Sequence, residues 1–131
     1  MLDVLLITGG AGSGKTSTAE AWAASRPSVA AHLSHDDVHT FVKSGVMNPA
    51  DGSNEEADRQ WRIAIDICVA ACRIYVAEGI RCAIDTYLLP TNLVLWSALR
   101  EFRVGLVVLR PDVDVAARRN AKRQHEIGWG V

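Results

Sequence analysis

Apolar residues in this chain fall into short blocks, separated by stretches whose apolar positions recur with helical period. Residues 2–8 carry the run Val4-Leu5-Leu6-Ile7 and read as a buried strand. Residues 15–25 read as a helix ended by Arg26-Pro27. Residues 29–34 form a second, weaker strand, and 37–43 a short helix. Residues 44–54 contain Gly45, Pro49 and Gly52 and read as a loop. Ser53-Asn54-Glu55-Glu56 has the capping-box pattern, and Gly79 closes the long helix that follows. Residues 80–85 are a third strand. Pro90-Thr91 opens another helix to about Glu101. Residues 103–109, rich in Val and Leu, are a fourth strand. Pro111-Asp112 opens a last helix to about Gln124, and residues 126–131, with two glycines, read as a fraying tail. Strands alternating with helices predict a parallel sheet covered on both faces, a three-layer α/β/α arrangement of about four strands.

At 131 residues the chain fits one domain, 1–131, and 49% hydrophobic residues suffice for a core. A net charge of −1 provides no general basic field for nucleic acid. No apolar run approaches membrane-spanning length. Met1-Leu2-Asp3 enters a strand at once and does not read as a signal peptide. Cys68, Cys72 and Cys82 form no CxxC pair, so reduced, partly buried thiols in a cytoplasmic protein are expected. Nothing in the sequence sets an oligomeric state.

One octapeptide changes this picture. Gly9-Gly10-Ala11-Gly12-Ser13-Gly14-Lys15-Thr16 lies between the first strand and the first helix, and matches G-x-x-x-x-G-K-[ST] in its proper context. Glycines let successive backbone amides turn toward an anion, and the new helix adds its unpaired N–H groups and positive dipole end. The expected cradle is Gly10, Ala11, Gly12, Ser13, Gly14, Lys15, Thr16 and Ser17. Lys15 supplies a cation for the β/γ-phosphates of a nucleoside triphosphate, and Thr16 a hydroxyl for magnesium.

In such sheets ligands sit at the carboxyl ends of the strands. The second strand ends in His35-Asp36-Asp37, the third in Asp85-Thr86, the fourth in Arg110. Asp36 is the expected acceptor of the attacking hydroxyl's proton, with Asp37 capping or near the metal; both residues also suit a helix start. Asp85 is expected to hold the metal with Thr16, the competing role being a turn-starting Asp. Arg118, Arg119, Lys122 and Arg123 crowd the last helix, where like charges one turn apart cost about 0.2–0.5 kcal/mol per pair. A polyphosphate would relieve that repulsion; the helix dipole alone also accounts for basic residues late in a helix. Arg59, Trp61 and Arg62 fit an acceptor pocket or a solvated face. His32, His35, His39 and His125 have no metal-ligand spacing and read as surface residues.

Gly9 to Thr16, Asp36-Asp37, Ile84-Asp85-Thr86 and Arg119-Asn120-Ala121-Lys122-Arg123, in that order, resemble the small P-loop phosphotransferases. These include the kinase domain of 5′-hydroxyl polynucleotide kinase, zeta-toxin-like kinases and chloramphenicol phosphotransferase. The resemblance implies a nucleoside-kinase-like P-loop NTPase fold, ATP and Mg²⁺, and an acceptor hydroxyl oriented by Asp36. It also implies that Arg119 and Arg123 close over the phosphoryl group. The leading expectation is an ATP-dependent kinase acting on a small-molecule hydroxyl. In the polynucleotide-kinase branch an Arg follows the Asp pair by two residues; here His39 stands there, which argues against a polynucleotide acceptor. Relatives also continue past the basic helix, so a nucleotide-binding module with little catalysis is the alternative, beside a 5′-hydroxyl polynucleotide kinase. The absence of N-K-x-D and of D-x-x-G after the third strand argues against a regulatory GTPase.

Overall fold

A computed structural model describes residues 1–49, 54–87 and 90–110. The elements run β1 (Val4–Gly9), α1 (Lys15–Ala24), β2 (Ala30–Ser34), α2 (His35–His39), α3 (Glu55–Ala77) and β3 (Arg81–Thr86). A 3-10 helical segment, Pro90–Glu101, and β4 (Val104–Leu109) follow. The four strands form one sheet in the order β2-β3-β1-β4, and every pairing is parallel. The expected α/β fold with a four-stranded parallel sheet is therefore present. Among the described residues no helix is long and apolar enough to cross a membrane.

Strand alternation sends successive side chains to opposite faces, and the two faces are covered differently. Leu5, Ile7 and Ala83 pack with Ala19 and Ala23 of α1. Val4, Leu6, Cys82 and Ile84 pack with Ile65, Cys68, Val69 and Cys72 of α3, and with Trp96 and Leu99 of the 3-10 segment. Ile7, Ile65 and Ile84 are fully buried, each stabilising the fold by about 1.5–3 kcal/mol relative to exposure. The three cysteines are free and fully buried. Burial pushes the Cys68 thiol up to about 12, and its contact with Cys82 pushes Cys72 up as well. Both thiols are thus kept protonated and unreactive.

Three boundaries differ from the sequence reading. The helix expected at 37–43 starts at once from the strand, as α2 (His35–His39), because Asp36 and Asp37 favour its first turn. The cap of α3 is Asn54, whose side chain accepts the Ala57 N–H at 2.7 Å; Ser53 lies outside the described residues. The stop at Gly79 is as read: it sits at φ +78°, its N–H donates to the Val76 carbonyl, and the Ile80 N–H donates to that of Tyr75. The third difference is Pro90–Glu101, which winds as a 3-10 helix rather than an α-helix. Trp96, Leu99 and Phe102 recur every third residue, the period at which a 3-10 helix stacks side chains on one face. The last expected helix, residues 111–124, lies outside the described residues.

Candidate functional site: the phosphate loop and the tip of β3

The loop from Gly10 to Gly14 joins the central strand to α1. Gly12 and Gly14 sit at φ +77° and +85°, a region that side chains with a Cβ rarely enter. The Ser13 N–H closes the turn onto the Gly10 carbonyl at 3.1 Å. Gly9 is needed for a different reason: a Cβ there would lie 2.4 Å from Ser13 Oγ and 3.0 Å from the Leu109 carbonyl. Gly10 by contrast faces open space, so a Cβ there would meet no steric obstacle.

Helix α1 begins at this loop without a side-chain cap and without an acidic residue in its first turn. Its first amides therefore keep their donors and its positive dipole end is unopposed. Lys15 is only 5% exposed, and no carboxylate of the described residues pairs with it. Ser13 Oγ is buried without a hydrogen-bond partner among the described residues. Unanswered donors, a buried cation and a helix N-terminus converge on one place; together they constitute a seat for an anion with several oxygens.

Strand alternation then decides what joins the loop. Asp85 pairs in register with Ile7, so it faces α1; Thr86 faces the other way. Asp85 is fully buried. Its Oδ1 accepts the Thr16 hydroxyl at 2.9 Å and the Ser34 hydroxyl at 3.1 Å. Its Oδ2 accepts from His32 Nε2 at 2.5 Å. A carboxylate beside a hydroxyl is a hard oxygen donor set of the kind that suits Mg²⁺, an ion that keeps several waters and needs few protein ligands. Among the described residues there is no cluster of three or more His, Cys, Asp or Glu side chains of the sort that alone encloses a metal. The donor set therefore fits a cation shared with bound phosphates.

On the opposite face Thr86 meets His35. The Trp61 carbonyl accepts from His35 Nε2 at 3.2 Å, so this nitrogen carries the proton. Nδ1 then accepts the Thr86 hydroxyl at 2.7 Å. Trp61 tilts over the imidazole at 3.9 Å between ring centroids, and Trp96 meets it edge-on at 5.4 Å. Burial pushes His35 down to about 4, outweighing its hydrogen bond to the Trp61 carbonyl and the charge of Asp36, which act the other way. His39 is also buried and donates through Nε2 to the Met47 carbonyl at 2.9 Å. The expectation of surface histidines fails at these two positions, because α2 turns them inward onto α3.

The structure thus brings together the loop residues, Lys15, Thr16 and Asp85. Asp36 lies at the same end of the sheet, exposed in the first turn of α2 beside His35. Arg119 and Arg123 lie outside the described residues. Arg59 is exposed and paired with Glu56, Arg62 is exposed, and half-buried Trp61 packs on His35. Sequence reasoning missed Ser34 and His32 as partners of Asp85. The signal was their spacing: two polar residues at i and i+2 face the same way from a strand.

The profile of the family described as "AAA domain" matches residues 4–128. A comparison with curated proteins finds no match. Among solved structures, an unliganded sugar kinase from Janibacter sp. HTCC2649 is similar with a TM-score of 0.63 and 19% identity. The match covers 94% of this chain and 68% of the other. At that identity the likeness speaks for the fold alone. The chain belongs to the AAA-domain family.

Proposed function

We propose that this protein is an ATP- and Mg²⁺-dependent phosphotransferase that moves the γ-phosphoryl group to a hydroxyl of a small-molecule acceptor. The observation that carries the reading is the Thr16–Asp85 hydrogen bond beside an uncapped helix start and a buried Lys15 that no carboxylate of the described residues pairs with. The amides from Gly10 to Ser17 would hold the phosphates, and Lys15 would neutralise charge on the β- and γ-groups. Thr16 and Asp85 would hold magnesium, which supplies charge neutralisation at the phosphate oxygens. Asp36, at the neighbouring strand end, would accept the hydrogen of the acceptor hydroxyl and aim its oxygen. Arg119 and Arg123 would supply charge to the moving phosphoryl group. The neighbouring structure is described as a sugar kinase, and a sugar hydroxyl is of the acceptor class proposed.

ADP release over a panel of sugars, polyols and nucleosides tests this. The expected result is acceptor-stimulated turnover that Asp36→Asn lowers by about 10²-fold or more, with nucleotide binding largely kept. Undiminished transfer by Asp36→Asn would remove that residue from the mechanism. Nucleotide binding without turnover on any acceptor would leave a binding module instead.

A further inference from the structure

The Asp85 carboxylate is held from three sides, and two of the three donors, Ser34 and His32, have no part in the reading above. Thr16 and Ser34 both donate to Oδ1, so either can be lost without stripping that oxygen. On Oδ2 the described residues place a single donor, Nε2 of His32. The carboxylate can only accept, so Nε2 carries the hydrogen and the imidazole is fixed as donor. A carboxylate held through both oxygens cannot turn about its Cβ–Cγ bond. The Thr16 hydroxyl has one hydrogen, and spends it on Oδ1; its lone pairs are thereby left facing away from Asp85, free for a cation. His32 sets the carboxylate, the carboxylate sets the hydroxyl, and the hydroxyl presents the cation ligand.

We propose that His32 is a positioning residue for Asp85, and that through it the β2 strand sets the magnesium dependence of nucleotide binding. The inference rests on the reading of Thr16 and Asp85 as the cation-holding pair. It concerns a residue two positions inside the strand, remote in sequence from both. Its side chain is 18% exposed, so it can be replaced from the solvent side without opening a deep cavity.

The test uses the full chain and a fluorescent, non-hydrolysable ATP analogue, titrated in EDTA and across a Mg²⁺ series. His32→Leu keeps bulk and removes the donor; His32→Gln keeps a donor at similar reach. The expected result is that His32→Leu raises the Mg²⁺ concentration for half-maximal binding by about tenfold or more, the usual effect of losing an outer partner of a metal ligand. His32→Gln should stay close to wild type, and affinity in EDTA should be the same for all three. Equal Mg²⁺ dependence in wild type and His32→Leu overturns the proposal. So does an equal loss in EDTA, which would mean that the residue only supports the fold. If His32→Leu does not fold, His32→Asn, too short to reach Oδ2, takes its place with the same expectation. Wild-type protein whose binding ignores Mg²⁺ altogether would overturn the cation-holding pair itself, an outcome distinct from the failure of His32 alone.

Discussion

Asp85 and Thr86 are neighbours on one strand, yet they belong to different kinds of structure. Asp85 faces α1 and is tied into hydroxyls, an imidazole and the phosphate loop. Thr86 faces α3 and is tied to a buried neutral histidine between two tryptophans. The first side is built from donors and a cation that meet no partner among the described residues. The second is a closed set in which His35 has a partner on each ring nitrogen. One strand tip thus carries an open arrangement of polar groups on one face and a locked one on the other.

The sharpest way to break this comparison is Lys15→Met. Turnover should fall by about 10³-fold or more, since a charge on the transferring phosphoryl group is lost. The ligand-free protein should be no less stable than wild type, because a buried cation with no ion partner among the described residues opposes folding. A turnover assay beside thermal unfolding reads both effects. A large loss of stability would show that the loop is not the ligand-seeking side.

The second test acts on the other face through pH. His35 binds a proton near 6.5 in the unfolded chain and near 4 in the folded one. The unfolded state therefore holds more protons between these values, and stability falls as pH drops from 6.5 toward 4. The full effect is on the order of 3 kcal/mol, and it is absent above pH 6.5. Chemical denaturation at several pH values should show this slope, reduced in His35→Gln. A smaller effect is expected from Thr86→Val, which leaves Nδ1 without its described donor. It should cost about 1–2 kcal/mol in stability and leave nucleotide affinity unchanged. A change in affinity of tenfold would mean that the two faces are coupled.

How much of this was legible in the sequence follows from the range of each interaction. The phosphate loop, its strand and its helix are encoded within a few residues, and Gly9 to Thr16 announce them. Asp85 was legible because it ends an apolar run. Ser34 and His32 were not, because they reach Asp85 across 51 and 53 residues of chain, and only the β2–β3 register brings them there. His35 was hidden for a related reason. Its burial depends on α2 starting directly at the end of β2, two residues earlier than the helix start expected at residue 37. The 3-10 segment could have been read from the three-residue spacing of Trp96, Leu99 and Phe102, which fits 3.0 residues per turn better than 3.6.

The stacking of Trp61 on His35 has a practical consequence. An indole's emission is quenched by a protonated imidazole in contact with it, whereas a neutral ring is a weak quencher. The ring pair at 3.9 Å thus gives the protein an optical gauge of its own acid sensitivity. Dimming of the intrinsic fluorescence on acidification toward pH 4 would register protonation of His35 without any label.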